Sequence, residues 1–109
     1  MKIAISAKGA GLGAWFEPLL HECGYLMIVD DKGDFSAIEN PRSGDSQKDE
    51  NYLVEKATTE GVDVCIIGGI SENAQKTLRE HGVTIYSAEK GSILELVEQY
   101  EQGNLKLFG

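Results

Sequence analysis

Isoleucines at positions 3 and 5 alternate with Lys2, Ala4 and Ser6. A period of two is that of an extended chain with one buried face, so Lys2–Ser6 predicts an opening strand. Tyr25 to Val29 is a nearly continuous apolar run and predicts a second strand over Gly24–Asp30. Lys32-Gly33-Asp34 turns the chain, and Phe35–Glu39 alternates as a third strand. That link is too short for a crossover, so the second and third strands are expected to form an antiparallel hairpin. Between the first two strands lie a glycine-rich loop, Lys8–Gly13, and a segment, Trp15–Cys23, where Pro18 predicts irregular or weakly helical chain.

After the polar loop Asn40–Asp45 the apolar period lengthens. Ser46 with Asp49 reads as an N-terminal capping pair for a helix that buries Leu53, Val54 and Ala57, runs to Glu60 and stops at Gly61. Val62–Ile67 is the most apolar strand segment and predicts a central strand covered on both faces. Gly68-Gly69 follows, then a helix capped by Ser71 that reaches His81, and a fifth strand over Val83–Tyr86. Ser92 with Glu95 forms a capping box for the last helix, whose Ile93, Leu96, Val97 and Tyr100 share one face. Gly103 ends it and Asn104–Gly109 is left as a tail. The order β-β-β-α-β-α-β-α describes an α/β domain: a single mixed five-stranded sheet flanked by helices.

The chain has 109 residues, 41% of them hydrophobic, which suits one domain. No apolar run approaches the ~20 residues of a membrane span, and a strand starting at Lys2 leaves no room for a leader, so a cytoplasmic location is expected. Ten Lys and Arg against eighteen Asp and Glu give a net charge of −8. Phosphate backbones are held by clustered cations, so nucleic acid is not an expected partner.

Several residue sets carry possible chemistry. Gly9-x-Gly11-x-x-Ala14 after a strand, with Asp30 and Asp31 ending the next, imitates the spacing of a dinucleotide fingerprint. That fingerprint needs a helix at the loop and a crossover after the second strand; Pro18 and the expected hairpin oppose both. A nucleotide site on Gly9, Gly11 and Gly13 is therefore the third reading. Gly68-Gly69-Ile70-Ser71 either presents free N–H groups to an anion or merely makes a tight turn. The first strand holds no carboxylate, which excludes a two-metal nuclease built from it. His21 and Cys23, flanking Glu22, are the one local pair of soft metal ligands. A second chain or a cluster's own sulfides would have to complete their coordination. Cys23 is expected to be the accessible thiol, Cys65 a core residue, and His81 a partner of its helix dipole. The two cysteines form no CxxC motif, and a disulfide between them is not expected.

These segments, in order, resemble the dinitrogenase iron–molybdenum cofactor biosynthesis family, small proteins with a ribonuclease H-like fold. The resemblance is carried by the opening MKIAIS, Tyr25-Leu-Met-Ile-Val-Asp30, Ile38-Glu-Asn-Pro41, Gly61-Val-Asp-Val, Ile67-Gly-Gly-Ile-Ser-Glu-Asn-Ala74, Gly82-Val-Thr-Ile-Tyr86 and Glu101-Gln-Gly-Asn-Leu. It implies a non-enzymatic carrier of an iron–sulfur or molybdenum-containing cluster, whose partners are that cofactor, another protein, or both. The implied site is Gly9, Gly11, Gly13, His21, Cys23, Gly68, Gly69 and Asn73 at one end of the sheet, with Cys23 and His21 on the metal. Leu19–Gly24 departs from the family's arginine- and glycine-bearing loop, and Arg42–Gln47 lacks its histidines. A metal-free interaction domain of the same fold is the alternative.

Overall fold

Strand β1 (Lys2–Ala7) runs through the middle of the sheet and pairs antiparallel with β2 (Tyr25–Asp30) on one side. On its other side it pairs parallel with β4 (Val64–Ile67). In the computed structural model, which describes residues 1–109, β3 (Phe35–Glu39) adds antiparallel to β2 as the expected hairpin. Gly33, at φ +85°, makes the tight turn possible, and the Asp30 carboxylate accepts the N–H groups of Lys32 and Asp34 across it. Beyond β4 lies parallel β5 (Thr84–Ser87). The sheet has six strands rather than five, because part of the expected tail, β6 (Lys106–Leu107), pairs antiparallel with β5. Two residues are too few to show an alternating pattern, so nothing along the chain marks that strand. The spatial order is β3-β2-β1-β4-β5-β6.

Alternation along the strands divides the core into two layers. Ala4, Leu26, Ile28, Cys65, Ile67 and Ile85 face helices α1 (Ser46–Thr59) and α2 (Glu72–Glu80), which contribute Leu53, Val54, Ala57 and Leu78. Ile3, Ile5, Met27, Val29, Val64 and Ile66 face the other way, against Ile93 and Leu96 of α3 (Ile93–Glu101) and against Phe16. Each fully buried Leu or Ile is worth roughly 1.5–3 kcal/mol of transfer free energy, so the double-sided packing of β1 and β4 anchors the fold.

The capping box of α3 is formed as expected, with Ser92 and Glu95 exchanging bonds. The cap of α1 is shifted by one residue: the Asp45 carboxylate accepts the Lys48 N–H, and Ser46 is already helical. Asp49 instead reaches back to accept the N–H and the hydroxyl of Ser43. The Nδ1 atom of His81, at the end of α2, lies 2.9 Å from the Thr77 carbonyl. No helix is long and apolar enough to cross a membrane.

Candidate functional site

The chain leaving β1 carries no regular element until Leu20, yet it is pinned throughout. Ala7 bridges to Phe16, Trp15 to Ser92, and Leu19 to Gly69. Phe16 is buried in the α3 layer and Leu20 in the α1–α2 layer, so the segment between them crosses the end of β4. Pro18 makes that crossing close. Its carbonyl accepts the N–H groups of both Gly68 and Gly69, at 2.8 and 2.9 Å. A Cβ on Gly68 would stand 2.6 Å from the Pro18 Cβ and 3.0 Å from its Cα. Gly68 is therefore required by the crossing, and the N–H groups of both glycines are not free for an anion.

Leu20–Glu22 forms a single 3-10 turn. Its outer residue, His21, projects toward solvent while Leu20 and Cys23 turn into the core. The buried side chain of Asn40 fixes this turn: its Nδ2 donates to the carbonyls of His21 (3.0 Å) and Cys23 (2.9 Å), and its Oδ1 accepts the Arg42 N–H. Cys23 is completely excluded from solvent, which corrects the expectation of an accessible thiol. Burial pushes its thiol up to about 12, against a smaller lowering by the nearby Arg42 charge and a further rise from Glu17. Cys65 is pushed to about 12 by burial alone. Both thiols are thus buried and raised, Cys23 beside the charges of Arg42 and Glu17 and Cys65 away from any.

His21 opens onto a groove of about 510 Å³ between the starts of α1 and α2, which Ser46, Gln47, Glu50, Gly69 and Asn73 help to line. A second groove of about 410 Å³ continues past His21 and Ser46 to Arg42 and Asp49. The N–H groups of Ser46 and Gln47, in the first turn of α1, have no acceptor within the protein. The two inner carboxylates of the site are spoken for. Asp49 holds Ser43, and Glu50, only 5% exposed, accepts both the N–H and the hydroxyl of Ser71. Glu50 thus supplies the negative charge that the start of α2 favours and joins α1 to α2. What remains open in the grooves is an imidazole, a guanidinium and two N–H groups of the first turn of α1, whose end Asp45 already caps. Such a set favours an anion. The exposed carboxylate of Glu22 lies 3.4 Å from the His21 Nε2.

Of the expected site, His21, Gly69 and Asn73 meet at this groove. Gly68 lies beneath it under Pro18. Cys23 is near in sequence but faces inward, so His21 and Cys23 do not converge, and no three His, Cys, Asp or Glu side chains gather anywhere to hold a metal ion. Gly9, Gly11 and Gly13 sit at the same end of the sheet but over its opposite face. There the carbonyls of Leu12 and Ala14 accept the N–H groups of Leu94 and Ile93, occupying the start of α3. The loop is an acceptor for a helix terminus where a pyrophosphate loop must be a donor. No helix follows it, and β2 turns directly into β3, so the dinucleotide arrangement is absent.

Sequence reasoning missed Arg42, Ser46, Gln47 and Glu50 as neighbours of His21, and Asn40 as the residue that orients it. Asn40-Pro41 directly after a strand was the only local signal, since a proline fixes the exit and an asparagine suits a turn. Nothing local marks Glu50, whose partner is twenty-one residues away. Also unforeseen is a cleft of about 680 Å³ beside the exposed Trp15, bordered by Lys90 and Lys106.

A family model described as dinitrogenase iron–molybdenum cofactor matches residues 1–103. The structure is similar to the apo form of the orange protein from Desulfovibrio gigas, with a TM-score of 0.89 and 19% identity over 99% of this chain and 92% of that one. It is also similar to a NifB candidate from Thermotoga, with a TM-score of 0.79 and 25% identity over 97% and 91% of the two chains. A dinitrogenase candidate from Methanocaldococcus jannaschii superposes with a TM-score of 0.74 and 23% identity over 100% and 95%. No curated protein matches the sequence.

Proposed function

The chain belongs to the dinitrogenase iron–molybdenum cofactor family, and from that membership we propose that it binds and carries an anionic metal–sulfide cluster, without transforming it, in the grooves around His21. The observation that supports this reading is the open set of His21, Arg42 and the unpaired N–H groups of Ser46 and Gln47 along two joined cavities. Glu22, Asp49 and Glu50 line the same grooves, so the set draws an anion through its hydrogen-bond donors and the Arg42 charge and not through a net positive surface. With no three-residue ligand set, capture works by charge and hydrogen bonds to sulfide or oxo groups of a preformed cluster, and His21 is the side chain to which this reading gives a metal contact. Cys23 enters this reading as a core residue rather than a ligand. Iron–sulfur and molybdenum-containing clusters both meet the chemistry.

Anaerobic reconstitution with ferrous iron and sulfide, or with tetrathiomolybdate, followed by gel filtration and metal analysis tests the reading. Wild type should retain metal and sulfide in a fixed ratio to protein. Arg42→Ala and His21→Ala should each lower retention at least several-fold with circular dichroism unchanged. Retention unaffected by either substitution would remove the grooves from the account. A metal-free interaction domain of the same fold would then be the better reading.

A further inference from the structure

The sheet ends on one side at β3, whose five residues are exposed except for the half-buried Ile38. Edge strands usually carry a lysine, a proline or a bulge that blocks further pairing. Phe35-Ser36-Ala37-Ile38-Glu39 has none of the three, and it pairs with β2 in one unbroken register. The direction of its backbone groups follows from the bonds at its two ends. The Asp30 N–H donates to the Asp34 carbonyl and the Asn40 N–H to the Gly24 carbonyl. In an antiparallel ladder the bonded pairs alternate. Ser36 and Ile38 therefore bond inward to Ile28 and Leu26, while the N–H and C=O groups of Phe35, Ala37 and Glu39 point out from the sheet.

We propose that this edge is a self-recognition surface, on which β3 of a second copy pairs antiparallel about a two-fold axis at Ala37. Ala37 then faces the partner's Ala37, and Phe35 faces the partner's Glu39. All three are outward-bonding positions, so of the symmetric registers this one lets every free donor of the strand meet a free acceptor. A two-fold centred on Ser36 or Ile38 would set inward-bonding residues at the axis and bond only Phe35 with Ala37, or Ala37 with Glu39, giving two bonded pairs where the Ala37 axis gives three. The charges agree as well: Glu39 falls opposite Phe35 and Asp34 opposite Asn40, so no like charges oppose each other within the paired stretch. Phe35, 50% exposed in the single chain, gains cover from the partner strand. Two six-stranded sheets become one continuous sheet. The contact is small, with five strand residues a side, against the roughly 20–30 of a standard interface. The dimer is therefore weak and reversible. Each copy carries a charge of −8, so salt should strengthen association by screening their repulsion.

Sedimentation velocity of the full chain, from about 10 μM to about 1 mM, reads the association directly. The mean mass should rise from the 11.9 kDa monomer toward the dimer, more steeply at higher salt. Ala37→Pro removes one outward N–H and leaves the bonds to β2 intact, so it should abolish association. Ala37→Lys and Ala37→Glu place like charges face to face at the axis of a surface-exposed position. Each alone should stay monomeric, and an equimolar mixture of the two should associate at least as well as wild type. A wild type that stays monomeric across the range overturns the proposal and leaves the edge to a different chain's strand. Undiminished association by the folded lysine and glutamate variants separately would equally overturn it, by placing the contact elsewhere.

Discussion

Replacing Asn40 with alanine removes the side chain that holds His21 in place, and the structure supplies the magnitude. Asn40 is 3% exposed and gives up two donated bonds, of 3.0 and 2.9 Å, and one accepted bond of 3.2 Å. A hydrogen bond contributes about 0.5–1.5 kcal/mol net, and a buried carbonyl left without a donor costs about 1–3 kcal/mol. The Cys23 carbonyl keeps only a long contact, 3.5 Å, with Arg42 Nε, and the Arg42 N–H can turn to water. The sum is about 2–4 kcal/mol of lost stability. With a urea slope of roughly 1–2 kcal/mol/M, the unfolding midpoint should fall by at least about 1 M without a change of slope. Asn40→Asp keeps the shape but sets a carboxylate, which cannot donate, against two carbonyls, so at neutral pH it should be at least as harmful. Hydrogen exchange should quicken at Leu20–Gly24 in both variants. A midpoint within about 0.3 M of wild type for Asn40→Ala would mean that the turn is held by the burial of Leu20 and Cys23 alone, refuting the role given to Asn40.

Native-state labelling of the thiols should be slow at both Cys23 and Cys65 at pH 8 and fast at both in urea; rapid native modification of Cys23 alone would contradict its burial. Because both thiols are raised from 9.0 to about 12 in the folded state, the neutral form is favoured by folding. Their contribution is intact below pH 9 and is lost as pH climbs from 9 through about 12, so urea midpoints should fall over that window and fall less steeply in Cys23→Ala. Gly68→Ala should destabilise by about 2 kcal/mol or more, since the new Cβ meets Pro18 and the Ala88 carbonyl at 3.1 Å or closer. Gly13→Ala, with open space around it, should be neutral within about 0.5 kcal/mol; thermal melts of the pair distinguish a required close approach from a permissive loop. Ser71→Ala removes both the cap of α2 and the hydroxyl bonded to Glu50, and should cost about 1–3 kcal/mol by urea titration.

The elements that bury one face in a regular period were legible. The β2–β3 hairpin followed from a turn too short for anything else, and the α3 cap from two residues at a fixed spacing. What escaped were features settled across the chain. β6 pairs because the tail happens to return beside β5, not because Lys106 and Leu107 favour extended chain. Cys23 looked exposed because Pro18 and Gly24 exclude regular structure around it. Irregular chain can nonetheless be buried when a distant side chain such as Asn40 satisfies its carbonyls. At the site, His21 and the Gly69–Asn73 segment could be singled out locally, but their grouping with Ser46 and Gln47 depends on where α1 starts. That is decided by Asp45 and by the Glu50–Ser71 link. The Gly9–Gly13 loop was placed in the expected site because it follows β1 at the right end of the sheet, whereas Leu12, Ala14 and Phe16 pack it on the α3 layer, across the sheet from His21.

The central claim, that the grooves around His21 receive an anionic metal–sulfide cluster, is tested most directly by an anaerobic titration of the 15N-labelled chain with tetrathiomolybdate. The account predicts saturable shifts concentrated at His21, Arg42, Ser46, Gln47 and Gly69–Asn73, with the Gly9–Gly13 loop unmoved. Shifts confined to Trp15, Lys90 and Lys106, or no saturable shifts at all, would contradict it.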